Sequence, residues 1–254
     1  MSEVVLEVSH VNSFYREQSH SGSFLQRLST GQRKVQILKD VSFVLHEGEV
    51  LGLVGESGCG KTTLSKGILG FLKDWNGKIY HNSEHPQMVF QDPYSSLNPG
   101  KKIGWIMEEP LKNYTRLHKA ERKKKVAEML RNVGLDPAVA ERYPRQLSGG
   151  QRQRVSIGTA LMLGPKLLIA DEPVSALDVT IQKQIMELLK KLQKEMNLSI
   201  LFISHDLRVV YQMCDRVMIM KEGTILEQGT VKEIYFHPCH EYTKLLLESS
   251  GITT

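Results

Sequence analysis

The stretch Gly55-Glu56-Ser57-Gly58-Cys59-Gly60-Lys61-Thr62 decides the fold. It fits the spacing G-x-x-x-x-G-K-[ST], a phosphate loop. Its glycines let the backbone turn tightly, so that several N–H groups converge on phosphate oxygens. The helix after it presents an N-terminus with unpaired donors and a positive dipole end. Lys61 adds a compact charge for the outer phosphates, and the Thr62 hydroxyl can ligate Mg2+. Cys59 stands at an unconstrained position, and its side chain is given no role. The flanks are those the mechanism needs. Glu49-Val50-Leu51-Gly52-Leu53-Val54 is an apolar run suited to a buried strand, and Thr63 to Leu69 reads as a helix.

Further along, Leu167-Leu168-Ile169-Ala170-Asp171-Glu172 is an apolar strand ending in two carboxylates. Carboxylates at a strand's carboxyl end face the ligand crevice of an α/β sheet. Taken alone, two acids after an apolar run suit a helix N-cap equally well. With a phosphate loop in the same chain, Asp171 is placed to hold hydrated Mg2+ and Glu172 to orient and polarise the attacking water. Leu147-Ser148-Gly149-Gly150-Gln151 precedes a helix expected to begin near Arg152. Its free backbone donors and serine hydroxyl make a second phosphate-binding device, with a plain Ser-capped turn as the alternative. Two such devices in one chain make sense if each serves a different face of a nucleotide.

The rest of the chain supplies the frame. Val4 to Val8, Gln36 to Leu38, Val41 to Leu45, Gln87 to Phe90 and Ser199 to Ile203 read as strands, and Gln18 to Gly31 as a polar loop. From Asp92 to about Pro144, helical patterning is broken by Pro93, Pro99, Pro110 and Pro137. Val126, Met129, Leu130 and Val133 share one helix face, as do Ile181, Ile185, Leu188, Leu189 and Leu192. Leu207 to Met213 is a helix, and Arg216 to Met220 with Thr224 to Glu227 a hairpin. Strands alternating with helices argue for a largely parallel sheet interrupted by a helical insert.

Composition narrows the class. The chain has 254 residues, enough for one large domain or two small ones, and a soluble make-up of 41% hydrophobic and 24% charged residues. No apolar run is long enough to span a bilayer, and the N-terminus lacks the pattern of a secretory signal. The default location is the cytosol. Three scattered cysteines, Cys59, Cys214 and Cys239, give no metal-spaced cluster or disulfide framework. The net charge of +5 is modest, and the basic runs Arg27 to Lys34 and Lys119 to Lys125 read as solvated surface. No aromatics interleave the second run, so no nucleic-acid groove is expected.

The phosphate loop, Gln91, Leu147 to Gln151, Asp171-Glu172, Ser175 to Asp178 and His205 follow one another as in ATP-binding cassette (ABC) proteins, and the chain resembles that family over essentially its whole length. The resemblance implies an α/β fold: a P-loop NTPase core of ABC type with an antiparallel β subdomain and a helical subdomain. Residues 1–254 would form one nucleotide-binding domain. Its core is 1–91 with 152–230, the helical subdomain 92–151, and a C-terminal tail 231–254. It implies ATP and Mg2+ as ligands, bound between two cassettes packed head to tail. Gly55, Glu56, Ser57, Gly58, Cys59, Gly60, Lys61, Thr62 and Thr63 of one subunit would face Ser148, Gly149, Gly150 and Gln151 of the other. Tyr15 matches the aromatic that stacks on adenine. Glu172, His205, Gln91 and Lys61 match the catalytic set, Thr62, Gln91 and Asp171 the metal set, and Asp178 would cross the dimer interface.

Within the family, Met88 to Pro99 and His237-Pro238-Cys239-His240-Glu241-Tyr242-Thr243 resemble the dipeptide, oligopeptide and nickel importer branch. That resemblance implies a second, non-identical cassette, two transmembrane permease subunits and an extracytoplasmic solute-binding protein. It implies a place at the cytoplasmic face of the membrane, held through the permease, with a helical insert that receives a permease coupling helix. Peptide-handling members often extend beyond the His-Pro motif, whereas this sequence stops at Thr254, so nickel, cobalt or a metal chelate stays open beside peptides. A non-transport cassette, such as an accessory subunit of a phosphonate-degrading complex, is the alternative class.

Overall fold

The computed structural model describes residues 3–16 and 34–252, so the polar loop expected at 18–31 and most of the first basic run lie outside the described residues. β1 (Val4–Arg16) pairs antiparallel with β2 (Lys34–His46) and with β4 (Trp75–His81), in the order β2-β1-β4. A second sheet has the order β5-β6-β7-β3-β8-β9. In it β5 (Gln87–Val89), β6 (Leu167–Asp171), β7 (Ser199–Ile203), β3 (Val50–Val54) and β8 (Arg216–Lys221) run parallel, while β9 (Thr224–Thr230) closes the edge as an antiparallel hairpin partner.

Alternation along the parallel strands divides the core in two. Leu51, Leu53, Leu167, Ile169, Leu201, Ile203, Met218 and Met220 pack with Val5, Leu6, Val8 and Leu38 of the antiparallel sheet and with Leu64 and Ile68 of α1 (Lys61–Ile68). Val50, Val54, Leu168, Ala170, Ile200, Phe202, Val217 and Ile219 pack on the opposite side. Their partners there include α3 (Ile103–Tyr114) and α4 (Lys119–Asn132) of the helical insert, which opens with the short α2 (Pro93–Ser96), and α5 (Gly149–Leu161), which follows from it. The faces read from the sequence hold: Val126, Leu130 and Val133 are buried with Met129 packed against them, and so are Ile185, Leu188, Leu189 and Leu192 of α6 (Val179–Met196), with Ile181 packed alongside. α7 (Leu207–Met213) has the bounds read from the sequence. All three cysteines are free thiols.

Several expectations shift. The separate strands at Gln36–Leu38 and Val41–Leu45 are one, and Val4–Val8 is the start of a longer one. His10 and Asp40 take left-handed backbone there, and Asn12 Oδ1 accepts from Asp40 N at 3.0 Å, so the irregular ladder stays hydrogen-bonded. β4 carries no apolar alternation because most of it is exposed. α3 runs through Pro110, held by the burial of Ile103, Ile106, Met107 and Leu111 despite one missing backbone donor. The C-terminal tail folds as α8 (Val231–Phe236) and α9 (Glu241–Ser249). Among the described residues, no helix is long and apolar enough to cross a membrane.

Candidate active site

Four neighbouring strands deliver the site. In the order β5-β6-β7-β3, their carboxyl ends carry Gln91, Asp171-Glu172, His205 and the phosphate loop. Residues far apart in sequence are thereby brought together at one edge of the sheet, where ligands of parallel α/β sheets bind.

The loop itself is tightly held. A Cβ on Gly55 would lie 2.2 Å from the Met220 carbonyl oxygen, so only glycine fits. Gly60 takes φ 114° and begins α1 without a side-chain cap, leaving the first helix N–H groups to an anion. Gly223, in the β8–β9 turn, donates its N–H to the Cys59 carbonyl at 2.9 Å. The Lys61 ammonium is nearly buried and donates to the carbonyls of Gly55 and Glu56 at 2.6 and 2.9 Å, so it sits over the loop. Burial raises the Cys59 thiol above its ordinary value despite the Lys61 charge, which keeps it an inert packing group.

Beside the loop, Thr62 Oγ1 approaches Asp171 Oδ2 at 3.4 Å. Burial, and after it the Glu172 charge, raise the Asp171 carboxyl above its usual range against the opposing pull of Lys61 and Thr62. Glu172 is fixed more firmly. Its backbone is left-handed, φ 48°, and its N–H donates to the Ile203 carbonyl at 2.9 Å. Gln91 Nε2 donates to one carboxylate oxygen at 3.1 Å, while His205 Nδ1 lies 3.1 Å from the other. A non-glycine residue in that region is strained, and here two neighbouring strand ends hold it there. The arrangement can cradle a polyphosphate, hold a cation on oxygen ligands and aim a carboxylate at a water.

The second device is a helix start. Ser148 caps α5, accepting from Gln151 N at 3.3 Å, while Gln151 Oε1 accepts from Ser148 N at 3.1 Å. This capping box places the helix start at Gly149 rather than near Arg152, with both signature glycines inside the first turn. Among the described residues a Cβ on Gly149 would meet only Leu177, at an ordinary 3.6 Å, so none of them demands glycine there. Asp178 caps α6 through Ile181 N at 3.0 Å. Tyr15, near the end of β1, is 66% exposed. Among the described residues, no hydrogen bond or ion pair joins Tyr15, Ser148 to Gln151 or Asp178 to the phosphate loop.

Two contacts carry no signal in the sequence. Gln153, 1% exposed, donates to the Pro173 carbonyl at 2.7 Å and ties α5 to the segment after Glu172. Tyr242, in α9, donates its hydroxyl to Glu56 Oε1 of the phosphate loop at 3.0 Å.

The fold and site define a P-loop ATPase of cassette type, and the comparisons specify it. The family model described as ABC transporter matches residues 38–175. The oligopeptide transport ATP-binding protein OppF of Haemophilus influenzae is 45% identical over 98% of this chain and 79% of its own length. The oligopeptide transport ATP-binding protein AppF of Bacillus subtilis is 43% identical over 99% and 79%, and the H. influenzae dipeptide transport ATP-binding protein DppF is 45% identical over 86% and 71%. Among solved structures, cbiO1 of Clostridium perfringens, part of the ABC transporter complex cbiONQ, superposes with a TM-score of 0.76 at 29% identity, covering 98% of each chain. The cassette MJ0796, a dimer in a post-hydrolysis state bound to ADP and Pi, gives 0.75 at 28%, covering 89% of this chain and 98% of its own. The chain belongs to the ABC transporter family and is an ATP-binding cassette ATPase.

Proposed function

We propose that this chain is the ATP-hydrolysing subunit of a peptide importer. The observation that carries the ATPase chemistry is the clasp on Glu172, a strained carboxylate held between Gln91 and His205 beside the phosphate loop. The names of its relatives, oligopeptide and dipeptide transport ATP-binding proteins, support peptides as the cargo.

In this reading residues 55–63 bind the phosphates, Lys61 turns from the loop carbonyls to the outer phosphates, and Tyr15 stacks on the base. The oxygen donors at hand suit Mg2+: Thr62 and Asp171 stand close together, and Asp171 is desolvated beside a second carboxylate. When bound, that ion stabilises charge on the phosphoryl oxygens. Thr62 and Asp171 would hold it, with Gln91 nearby. Glu172 orients and polarises the water, and His205 steadies Glu172 from the opposite side to Gln91. Ser148 to Gln151 and Asp178 serve a partner cassette's nucleotide, which would give a reason for glycine at Gly149, where a Cβ would make only an ordinary contact with Leu177 among the described residues. The domain divides into a core at 1–91 and 152–230, a helical subdomain at 92–151 and the tail at 231–254. Its partners are a paralogous cassette, two permease subunits at the cytoplasmic face of the membrane, and a peptide-binding protein outside it.

The test uses the assembled transporter. Glu172→Gln lowers ATP turnover by at least about 100-fold while ATP binding persists. In the unaltered transporter, binding protein loaded with peptide raises turnover. Unchanged turnover in the variant would remove the role of Glu172. Stimulation by Ni2+ but not by peptides, or co-purification with soluble enzymes alone, would overturn the importer reading.

A further inference from the structure

The C-terminal tail reaches back to the phosphate loop. The Glu227 carboxylate, on β9, accepts the backbone N–H groups of Cys239 and His240 at 2.7 and 3.1 Å and so docks the His-Pro turn. His240 then caps α9, its Nδ1 accepting from Tyr242 N at 3.1 Å. This sets the Tyr242 ring, almost fully buried, 4.5 Å beneath the Lys221 ammonium, with its hydroxyl on Glu56 Oε1 at 3.0 Å. Burial, and then the Glu56 charge, push the phenol up to about 12, so it stays a donor.

Glu56 puts a carboxylate into the loop read as the triphosphate cradle. It lies in the exposed limb of the loop, at residues 56–58, five residues before the Lys61 ammonium that its own carbonyl accepts. A carboxylate free to swing there would repel phosphate oxygens and loosen the turn. From these contacts we infer that Tyr242 is a positioning residue for the phosphate loop. It holds the Glu56 side chain aside and braces the loop, so that the C-terminal tail sets affinity for ATP. Gly223, bonded to Cys59, braces the same loop from the β8–β9 turn, Lys61 holds the Glu56 carbonyl, and Tyr242 adds the hold on the Glu56 carboxylate. The inference rests on the reading of Gly55 to Thr62 as the ATP cradle.

The experiment measures Mg-ATP binding to the full chain and, in the assembled transporter, KM for ATP and kcat separately. Tyr242→Phe keeps the ring and removes only the hydroxyl. It should raise the Kd and KM for ATP roughly fivefold, the loss of one hydrogen bond to a charged acceptor at a half-open site, with kcat within twofold. In a Glu56→Ala background the same substitution should change nothing further. A Tyr242 that merely anchors α9 would lower the thermal midpoint and leave the Kd unmoved, which would overturn the proposal. So would an equal weakening in the Glu56→Ala background. Failure of the unaltered chain to bind Mg-ATP at all would overturn the cradle reading, and the brace with it.

Discussion

At Asp171, burial and the adjacent Glu172 charge hold the carboxyl above its ordinary value. The native state therefore binds a proton in a pH window where the unfolded chain has released it. Stability falls as pH rises from the ordinary carboxyl value through the raised one, and at neutral pH the ionised group is a net cost. Asp171→Asn should accordingly raise the thermal midpoint of the nucleotide-free chain at pH 7.5 by roughly 1–3 °C. The gain should vanish by about pH 2–3, well below the ordinary carboxyl value, where both states are protonated. The same substitution should weaken Mg-ATP binding at pH 7.5. Thermal unfolding at the two pH values, with and without Mg-ATP, checks both signs, and a lower midpoint without nucleotide at pH 7.5 would contradict the first. Lys61 and Thr62 were legible because the spacing of their short motif encodes its chemistry, and Asp171 and Glu172 because an acid pair after an apolar strand takes its meaning from that motif in the same chain. Gln91 and His205 were placed by family resemblance, since a lone glutamine or histidine after a strand carries no signal of its own. Tyr242 was beyond reach as a neighbour of Glu56, because 186 residues separate them and only the docking of the tail brings them together.

Among the elements, α5 bears two duties on one serine. Ser148 caps the helix in this chain and, in the proposed dimer, reaches a partner's nucleotide. Ser148→Asp separates them. Aspartate is an equally good N-cap, so the thermal midpoint should stay within about 1 °C. The new carboxylate would meet phosphate, so ATPase activity of the assembled transporter should fall at least about tenfold. A parallel loss of stability and activity would mean that the capping role explains both. Element legibility followed burial. β3 and β7 are buried throughout and β6 nearly so, and their apolar runs announced them. β4 was silent because an exposed edge strand needs no apolar alternation. α3 was obscured by Pro110, whose breaking tendency the packing of Met107 and Leu111 overrides. α8 and α9 went unread because short helices docked by capping contacts leave little periodicity.

At the scale of the whole molecule, no hydrogen bond or ion pair among the described residues joins the phosphate loop to the Ser148 device. The specific ATPase activity of the isolated chain should therefore rise with protein concentration as dimers form, while ATP binding per chain stays constant. Activity that does not change across a 100-fold dilution, set against constant binding, would show that one chain is sufficient. The fold class was legible at this scale because the strand–loop–helix start and the alternation of strands and helices admit few topologies. The strand order was not, because β5-β6-β7-β3 brings together segments that the chain visits in another order.

One glycine ties two parts of the molecule together. Gly223 donates its N–H to the Cys59 carbonyl and accepts the Lys39 N–H at 2.8 Å, and a Cβ there would lie 2.0 Å from the Ile37 carbonyl oxygen. Its nitrogen is thus fastened to the loop for phosphates, and its oxygen to the sheet that carries Tyr15. The chain works as a gauge block. In the proposed reading, with Tyr15 on the base and residues 55–63 on the phosphates, these two contacts help set the span that an incoming nucleotide has to match.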